Sequence, residues 1–200
     1  MAVQKEPILK KCRYLGISPA VMGVSKKESI RFKNANNRKK ISEYGLQLKE
    51  KQKLKFIYGV QENQFYHYYE LAEKQAGVTG ENLIRLLERR LDNVVFRMGM
   101  AKTRREARQL VRHNHFRVNG KKVNIPSLLL KAGDVVTVKD SSRSTAKFKE
   151  LAELCETRLS PSWLEVEKGD NVKATLKSLP IREELDYEVN EQLVVELYSK

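Results

Sequence analysis

The chain has 200 residues, enough for one medium domain or two small ones, and a formal net charge of +14. Because such a charge opposes a compact state, it indicates a polyanionic partner, most commonly nucleic acid, with an anionic membrane surface as the main alternative. No apolar run approaches the roughly 18 residues that span a bilayer, and Cys12 and Cys155 alone make no disulfide framework.

The first residues lack the apolar stretch of a signal peptide, so we expect a cytoplasmic protein with reduced thiols. The charge is distributed in blocks. Residues 1–60 contain 15 basic and 4 acidic side chains, and residues 85–122 contain 12 and 3. Residues 61–84 and 123–200 are slightly acidic, each with a net charge of −3. This alternation predicts two separate electropositive surfaces.

Residues 1–41 show no sustained apolar periodicity and contain Gly16, Pro19 and Gly23. A polar, basic segment of this kind buries too little apolar surface to fold alone, so we predict an extended arm that becomes ordered on a partner. Its cations are candidate nucleic-acid contacts: Lys10, Lys11, Arg13, Arg31, Lys33, Arg38, Lys39 and Lys40.

Residues 42–90 have the pattern of a helical domain. Ser42 is a plausible N-cap and Gly59 a helix end, a second helix follows from 62 to 76, and Thr79 caps a third. The lysine-rich first helix could lie on anionic lipid, but its apolar face is narrow and has no Trp. The candidate nucleic-acid contacts here are Tyr44, Lys49, Lys51, Lys53, Lys55, Arg85, Arg89 and Arg90.

Residues 91–155 are predicted to form a compact unit of two short helices and a small β element. Thr103 and Glu106 have capping-box spacing, which predicts a helix start. Asn119-Gly120 between alternating apolar residues is a strong signal for a type I′ hairpin. A strand is expected at 135–138 and a helix from about Ser144 to Cys155.

This unit is dense in arginine, whose planar fork suits phosphate. Isolated arginines are usually solvated surface charges, but four within nine residues favour nucleic-acid binding. The neighbouring histidines could stack on a base or be ordinary turn and strand residues. The candidate contacts are Arg104, Arg105, Arg108, Arg112, His113, His115, Asn119, Lys121 and Lys122.

The C-terminal segment 156–200 is expected to pack on the helical domain. Its residues 191–198, which follow Asn190 as a cap, fit a helix or a strand, and we expect a helix. The sequence contains no Gly-rich phosphate loop, no His-Glu-x-x-His and no Gly-x-Ser-x-Gly motif. Two distant cysteines cannot make a structural zinc site without further ligands. We therefore predict no enzyme activity, no metal and no cofactor.

Residues 91–138 closely resemble the S-four RNA-binding module, a small α-plus-β unit that contacts structured RNA through an arginine-bearing helix pair and an adjoining strand. The resemblance is carried by Leu91-Asp92-Asn93-Val94-Val95-Phe96-Arg97, Arg105-Glu106-Ala107-Arg108-Gln109-Leu110-Val111, Val118-Asn119-Gly120 and Gly133-Asp134-Val135-Val136. The module also occurs in tyrosyl-tRNA synthetases, pseudouridine synthases and a heat-shock protein of ribosome rescue.

The flanking sequences resemble a single family, the bacterial-type fourth protein of the small ribosomal subunit, over about residues 42–200. They include Ser42-Glu43-Tyr44-Gly45-Leu46-Gln47-Leu48-Lys49, Gly77-Val78-Thr79-Gly80-Glu81-Asn82-Leu83, Pro161-Ser162-Trp163-Leu164-Glu165-Val166 and Asn190-Glu191-Gln192-Leu193-Val194-Val195-Glu196-Leu197-Tyr198-Ser199-Lys200. The resemblance implies an α+β fold with an extended basic N-terminal arm, a mainly helical domain and an inserted S-four-type module.

The resemblance also implies a structural protein that binds the 5′ domain of small-subunit ribosomal RNA and nucleates assembly of the body. It would neighbour the fifth small-subunit protein and contact mRNA where it enters the subunit, with Arg38, Lys39 and Lys40 at the matching positions, and contribute to translational accuracy. Only Cys12 stands where family members carry a zinc knuckle, so no zinc is expected. An RNA-modifying enzyme would need a further catalytic domain, for which there is no room. A free regulator that binds mRNA remains open.

Overall fold

The structure is a computed structural model that describes residues 7–24, 41–169 and 171–199. The chain forms two compact units, one comprising Met1–Ile84 with Leu185–Lys200 and the other Arg85–Glu184. The mixed α+β architecture expected from the sequence is confirmed. Five candidate contacts of the arm lie outside the described residues: Arg31, Lys33, Arg38, Lys39 and Lys40.

The first unit is helical. Its elements are α1 (Ile8–Leu15), a 3₁₀ turn (Pro19–Met22), α2 (Glu43–Tyr58), α3 (Glu62–Glu73), the start of α4 (Thr79–Glu88) and α9 (Glu191–Tyr198). The predicted limits of α2 are confirmed, because the Ser42 hydroxyl accepts a hydrogen bond from the Gly45 amide and Gly59 adopts a left-handed conformation. The predicted C-terminal helix is also confirmed.

Helices α2, α3 and α4 each contribute apolar side chains that are essentially inaccessible to solvent, among them Leu54, Ile57, Phe65 and Leu83. Gly80 at the start of α4 lies directly against α9. A Cβ atom at this position would come within 2.5 Å of the Glu191 Cγ atom, so the close packing of α4 and α9 requires glycine here.

The N-terminal segment corrects the expectation of an extended arm. Helix α1 ends at Gly16 in a left-handed conformation, and the chain then turns at Pro19–Met22. Five apolar side chains of this segment are buried: Cys12, Leu15, Ile17, Val21 and Met22. Because these side chains are buried, residues 7–24 are part of the folded unit. The sequence did not indicate this, since a helix of only two turns is too short to show the sustained periodicity by which longer helices are recognised.

The second unit combines helices with one antiparallel sheet. Its helices are α5 (Leu91–Arg97), α6 (Arg104–Arg112), α7 (Asp140–Arg143) and α8 (Ala146–Thr157). Its strands are β1 (Phe116–Val118), β2 (Lys121–Lys122), β3 (Val135–Val138), β4 (Leu164–Glu167) and β5 (Lys173–Leu176). The order across the sheet is β2-β1-β3-β5-β4.

The sheet buries one face. Phe116, Val136, Ala174 and Leu176 alternate with more exposed residues along their strands and join the apolar core with α5, α6 and α8. The predicted Asn119-Gly120 turn is confirmed by positive φ values at both residues, 50° and 75°. Since a type I′ turn requires this geometry, it fixes the register of β1 on β2.

Residues 156–184 were expected to pack on the helical domain, and the structure corrects this. Strand β5 pairs with β3, with Ala174 opposite Val136, and β4 pairs with β5. The buried Trp163 belongs to the same apolar core. The two strands extend the sheet because their alternating apolar residues complete its buried face. Only the later part of the segment, from Leu185, belongs to the helical unit.

Candidate nucleic-acid interface

Helix α6 has a capped and well-defined start. The Thr103 hydroxyl accepts a hydrogen bond from the Glu106 amide at 3.2 Å, and the Glu106 carboxylate accepts one from the Lys102 amide at 2.8 Å. Burial would raise the pKa of Glu106, but the ion pair with Lys147 and this amide outweigh burial and lower it. The carboxylate therefore stays charged and holds the first turn of the helix in place.

The helix has an apolar side and a basic side. Ala107, Leu110 and Val111 are buried in the core. Because successive residues turn by about 100°, Arg105, Arg108 and Arg112 fall together on the opposite side. Arg105 and Arg112 are exposed and Arg108 is partly buried. We call these three residues the arginine face.

Arg104 does not belong to this face, which corrects its assignment as an RNA contact. Its side chain is buried, with only 6 % of the residue exposed. The Nε atom donates to the Asn93 Oδ1 atom at 2.8 Å, and the guanidinium lies 4.3 Å from the centre of the Phe96 ring. A cation over an aromatic face stabilises packing, so Arg104 joins α6 to α5.

Arg90 is likewise structural. It is 2 % exposed, and its Nε and Nη2 atoms donate to the two carboxylate oxygens of Asp92 at 3.1 and 3.0 Å. Arg89 is half-buried and donates from Nε to the Leu130 carbonyl oxygen at 2.6 Å. The remaining candidate on α4, Arg85, is half-buried. These positions therefore support the start of the second unit, and Arg90 is corrected as an RNA contact.

The two candidate histidines differ in exposure: His113 is exposed and His115 is partly buried. His113 is exposed at the C-terminal end of α6, next to the arginine face. His115 packs 5.1 Å from the Phe148 ring, and its Nδ1 atom lies 2.9 Å from the Ser142 hydroxyl oxygen. Burial, with the positive charges around it, lowers the pKa of His115, so it is neutral at physiological pH. His113 is the better placed of the two for a phosphate.

The hairpin presents two exposed lysines, Lys121 and Lys122, on the edge strand β2. The Asn119 side chain is engaged within the fold, because its Nδ2 atom donates to Asp134 and its Oδ1 atom accepts from the Val135 amide. It shapes the turn, and Asn119 itself remains exposed there. Arg117 on β1 was not anticipated. Its side chain is 39 % exposed, and its Nη1 atom forms an ion pair with the Asp140 carboxylate at 3.1 Å.

The lysine-rich helix α2 is less available to a partner than its sequence indicates. Lys51 and Lys55 both form ion pairs with Glu62 of α3, at 2.8 and 2.5 Å, and Lys53 pairs with Glu50. Lys49 is half-buried. The two contacts with Glu62 join α2 to α3, and the Lys53–Glu50 pair lies within α2. Part of the positive charge of residues 1–60 is therefore neutralised within the fold.

The remaining candidates of the first unit lie near its described N-terminal end. Lys10 is exposed on α1, and Lys11 and Arg13 are half-buried. Arg13 donates from Nε to the Leu9 carbonyl oxygen at 3.2 Å, within its own helix. Tyr44 is 60 % exposed at the start of α2, where a base could stack on its ring.

Glu62 is the centre of the ion-pair cluster on α2 and α3. Burial would raise its pKa, but hydrogen bonds from Lys51, Lys55 and the Tyr198 hydroxyl outweigh burial and lower it to about 2. The same contact, together with burial, raises the pKa of Tyr198. The cluster therefore holds α2, α3 and α9 together through one carboxylate that stays charged.

We expect Glu62 to make the stability of the first unit depend on acid. Since its pKa is lower in the folded state, its contribution is complete above about pH 4.5 and is lost as the pH falls towards about 2. Glu62→Gln should lower the free energy of unfolding by about 1 kcal/mol at neutral pH, a value reduced for solvent screening because 43 % of the side chain is exposed.

The measurement is urea unfolding of wild type and Glu62→Gln at about pH 7 and about pH 3, with Glu73→Gln, an exposed residue of α3, as the control. The difference between wild type and Glu62→Gln should shrink at the lower pH. A difference of the same size at both pH values contradicts the assignment.

Within residues 7–24, 41–169 and 171–199, no three His, Cys, Asp or Glu side chains are grouped so that they could hold a metal ion. None of the helices in the same residues is both long enough and apolar enough to cross a membrane. The exposed cations of α6 and β2 suit the phosphates of a nucleic acid. The second unit thus has the features of a nucleic-acid-binding module.

Comparison with known proteins identifies the family. Residues 4–88 match the model of the ribosomal protein S4/S9 N-terminal domain, and residues 89–136 match that of the S4 domain. The chain is 56 % identical over 200 residues to small ribosomal subunit protein uS4 of Lachnospira eligens and 52 % identical to that of Agathobacter rectalis, with complete coverage of both chains in each case. It is 57 % identical to uS4 of Clostridioides difficile over 84 % of this chain and 80 % of that one.

The chain belongs to the bacterial uS4 family of small ribosomal subunit proteins. It is a structural, non-enzymatic constituent of the small subunit that binds ribosomal RNA through an S4 domain. The matched S4 domain covers α5, α6 and the hairpin, so the arginine face lies within the RNA-binding domain.

Proposed function

We propose that the chain binds the 5′ domain of small-subunit ribosomal RNA through the arginine face, His113, Lys121 and Lys122, and nucleates assembly of the body of the subunit. The arginine face supports this proposal most strongly, because it places three guanidinium groups on one side of a capped helix. Arginine donates two parallel hydrogen bonds to phosphate, and several such contacts give a register on a folded RNA.

A finer placement in the subunit follows from the family resemblance. The chain would adjoin the fifth small-subunit protein and contribute to translational accuracy near the point where mRNA enters, with the basic residues 38–40 facing the mRNA. These residues lie outside the described part of the chain. The positive charge of residues 25–40, with seven basic side chains and one acidic one, supports a polyanionic neighbour for this segment.

Replacing the two exposed arginines of the face is expected to weaken RNA binding. Arg105→Gln/Arg112→Gln should flatten the dependence of log affinity on log salt by roughly two units or slightly less, since each lost phosphate contact removes about 0.9 units. The fold should be kept, because both side chains are exposed. The measurement is titration at several salt concentrations against transcripts of the 5′ domain and of the 3′ domain.

Lys173→Gln/Lys177→Gln is a matched control, because it removes two charges at ion pairs of the second unit with Glu167 and Glu165. It should change the slope much less. Equal losses in both double variants would show an unspecific effect of net charge. An unchanged affinity and slope in the arginine variant would contradict the assigned surface, and equal binding of the two transcripts would contradict the proposed RNA domain.

A further inference from the structure

Asp92 is a buried carboxylate in the first turn of α5, next to the arginine face. It is 2 % exposed, and its own amide donates to the Pro126 carbonyl oxygen at 3.1 Å, which anchors it to the loop before β3. The Arg90 guanidinium holds both carboxylate oxygens from one side. A carboxylate held in this way has a single position and orientation, so it can orient a further side chain that donates hydrogen bonds to it.

The second partner of Asp92 is Arg108, a member of the arginine face. The Arg108 Nε and Nη2 atoms lie 2.9 and 2.8 Å from the Asp92 Oδ2 atom. The Arg108 side chain remains 19 % exposed, whereas Asp92 and Arg90 are buried. The carboxylate therefore lies behind the guanidinium, and part of the guanidinium is presented to solvent.

Asn93, the residue after Asp92, also holds an arginine of α6, but that arginine is buried. Asn93 holds Arg104, four residues before Arg108 on the same helix, through the 2.8 Å hydrogen bond to Nε. Arg104 is buried against Phe96, so this contact only joins the two helices. Asp92 and Asn93 thus each fix one arginine of α6, and burial separates the arginine that packs from the one that can reach a ligand.

We infer that Asp92 is a positioning residue for RNA binding, which holds the Arg108 guanidinium in the orientation that receives a phosphate of the RNA. A free arginine loses side-chain freedom when it binds phosphate, and a carboxylate that already orients the fork removes part of this cost. The inference rests on the proposed function, because it assumes that the arginine face meets RNA.

Asp92→Asn distinguishes positioning from simple electrostatics, because the two predict effects of opposite sign. Removing a negative charge near a polyanion should tighten binding if only net charge matters. If Asp92 orients Arg108, Asp92→Asn should instead weaken binding to the 5′-domain transcript by about tenfold, the usual effect of losing one hydrogen bond to a charged group. Glu165→Gln, which makes the same charge change at an exposed residue of β4, is the control and should bind at least as tightly as wild type.

Arg108→Lys tests the same geometry without disturbing the buried Asp92–Arg90 pair. Lysine keeps the charge but presents a single ammonium group in place of the planar fork. We expect an affinity loss similar to that of Asp92→Asn, with the salt slope retained because the charge is retained. The double variant should lose no more than either single variant, because both changes remove one oriented group.

Circular dichroism must first show that each variant is folded at the binding temperature; if Asp92→Asn unfolds, Arg108→Lys alone decides. The inference is overturned if Arg108→Lys binds RNA with wild-type affinity. It is also overturned if the Asp92→Asn variant is folded and binds RNA as tightly as wild type or more tightly. If Arg105→Gln/Arg112→Gln also binds like wild type, the proposed surface itself fails. A loss in that variant without a loss in Arg108→Lys rejects positioning alone.

Discussion

Glu88→Ala is expected to destabilise the second unit by about 3–5 kcal/mol, the usual cost of removing one partner from a buried ion pair. The Glu88 carboxylate is 1 % exposed. It accepts hydrogen bonds from the Asn93 Nδ2 atom at 2.6 Å and from the Arg97 Nε and Nη2 atoms at 3.1 and 2.9 Å. Removing it deprives the largely buried Arg97 guanidinium of this partner. It also removes one of the two hydrogen bonds that Asn93, which holds Arg104, donates to Glu88.

The chain has a single tryptophan, Trp163, which is buried in the core of the second unit. Its fluorescence during urea unfolding therefore reports on this unit. Glu153→Ala, which removes an exposed carboxylate on α8, is the matched control and should shift the free energy of unfolding by no more than about 0.5 kcal/mol. Equal midpoints for Glu88→Ala and wild type would show that the buried carboxylate is dispensable.

Leu15→Ala is expected to destabilise the first unit by about 2–4 kcal/mol, because it leaves a cavity where a leucine with 1 % exposure was packed. Deleting residues 1–24 should have a larger effect, since it removes the four other buried apolar side chains of this segment as well. An extended arm would instead be removable without effect on the fold. The measurement is hydrogen exchange of the α2 amides, which lie in the same unit as α1.

Tyr14→Ala is a control at the adjacent position, because Tyr14 is 63 % exposed. It should leave the protection of the α2 amides within about 0.5 kcal/mol of wild type. If Leu15→Ala behaves like Tyr14→Ala, α1 does not contribute to the core, and the interpretation of residues 7–24 as an arm is restored.

Local signals predicted local structure well. The capping box at Thr103 and the Asn119-Gly120 turn depend on a few neighbouring residues, and both are present as predicted. Helix α2 begins after Ser42 and ends at Gly59 for the same reason. Strands β4 and β5 were not assigned to the sheet. They form a short hairpin, with Leu164 opposite Leu176, but the pairing that adds this hairpin to the sheet joins residues far apart in the chain, Ala174 and Val136.

The site could be predicted only in part. Counting charges located the basic helix at 104–112, but Arg104 and Arg105 are adjacent in sequence and differ completely in exposure. Asp92 carries no signal of its own, because an acidic residue at a helix start is usually a solvated charge near the positive end of the helix dipole. Its contact with Arg108 depends on how α5 and α6 pack.

The sequence by itself determined that this is a basic chain with the charge pattern of a nucleic-acid-binding protein and without catalytic motifs, because composition, charge blocks and local motifs can all be read without knowing the fold. Its resemblance to the uS4 family likewise needed no structure. Tertiary structure alone decided which cations face solvent. Arg90 and Arg104 are buried with partners, Lys51 and Lys55 neutralise Glu62, and Arg105 and Arg112 remain exposed. The reason is physical: the cost of burying a charge is offset only by partners that folding brings from elsewhere in the chain.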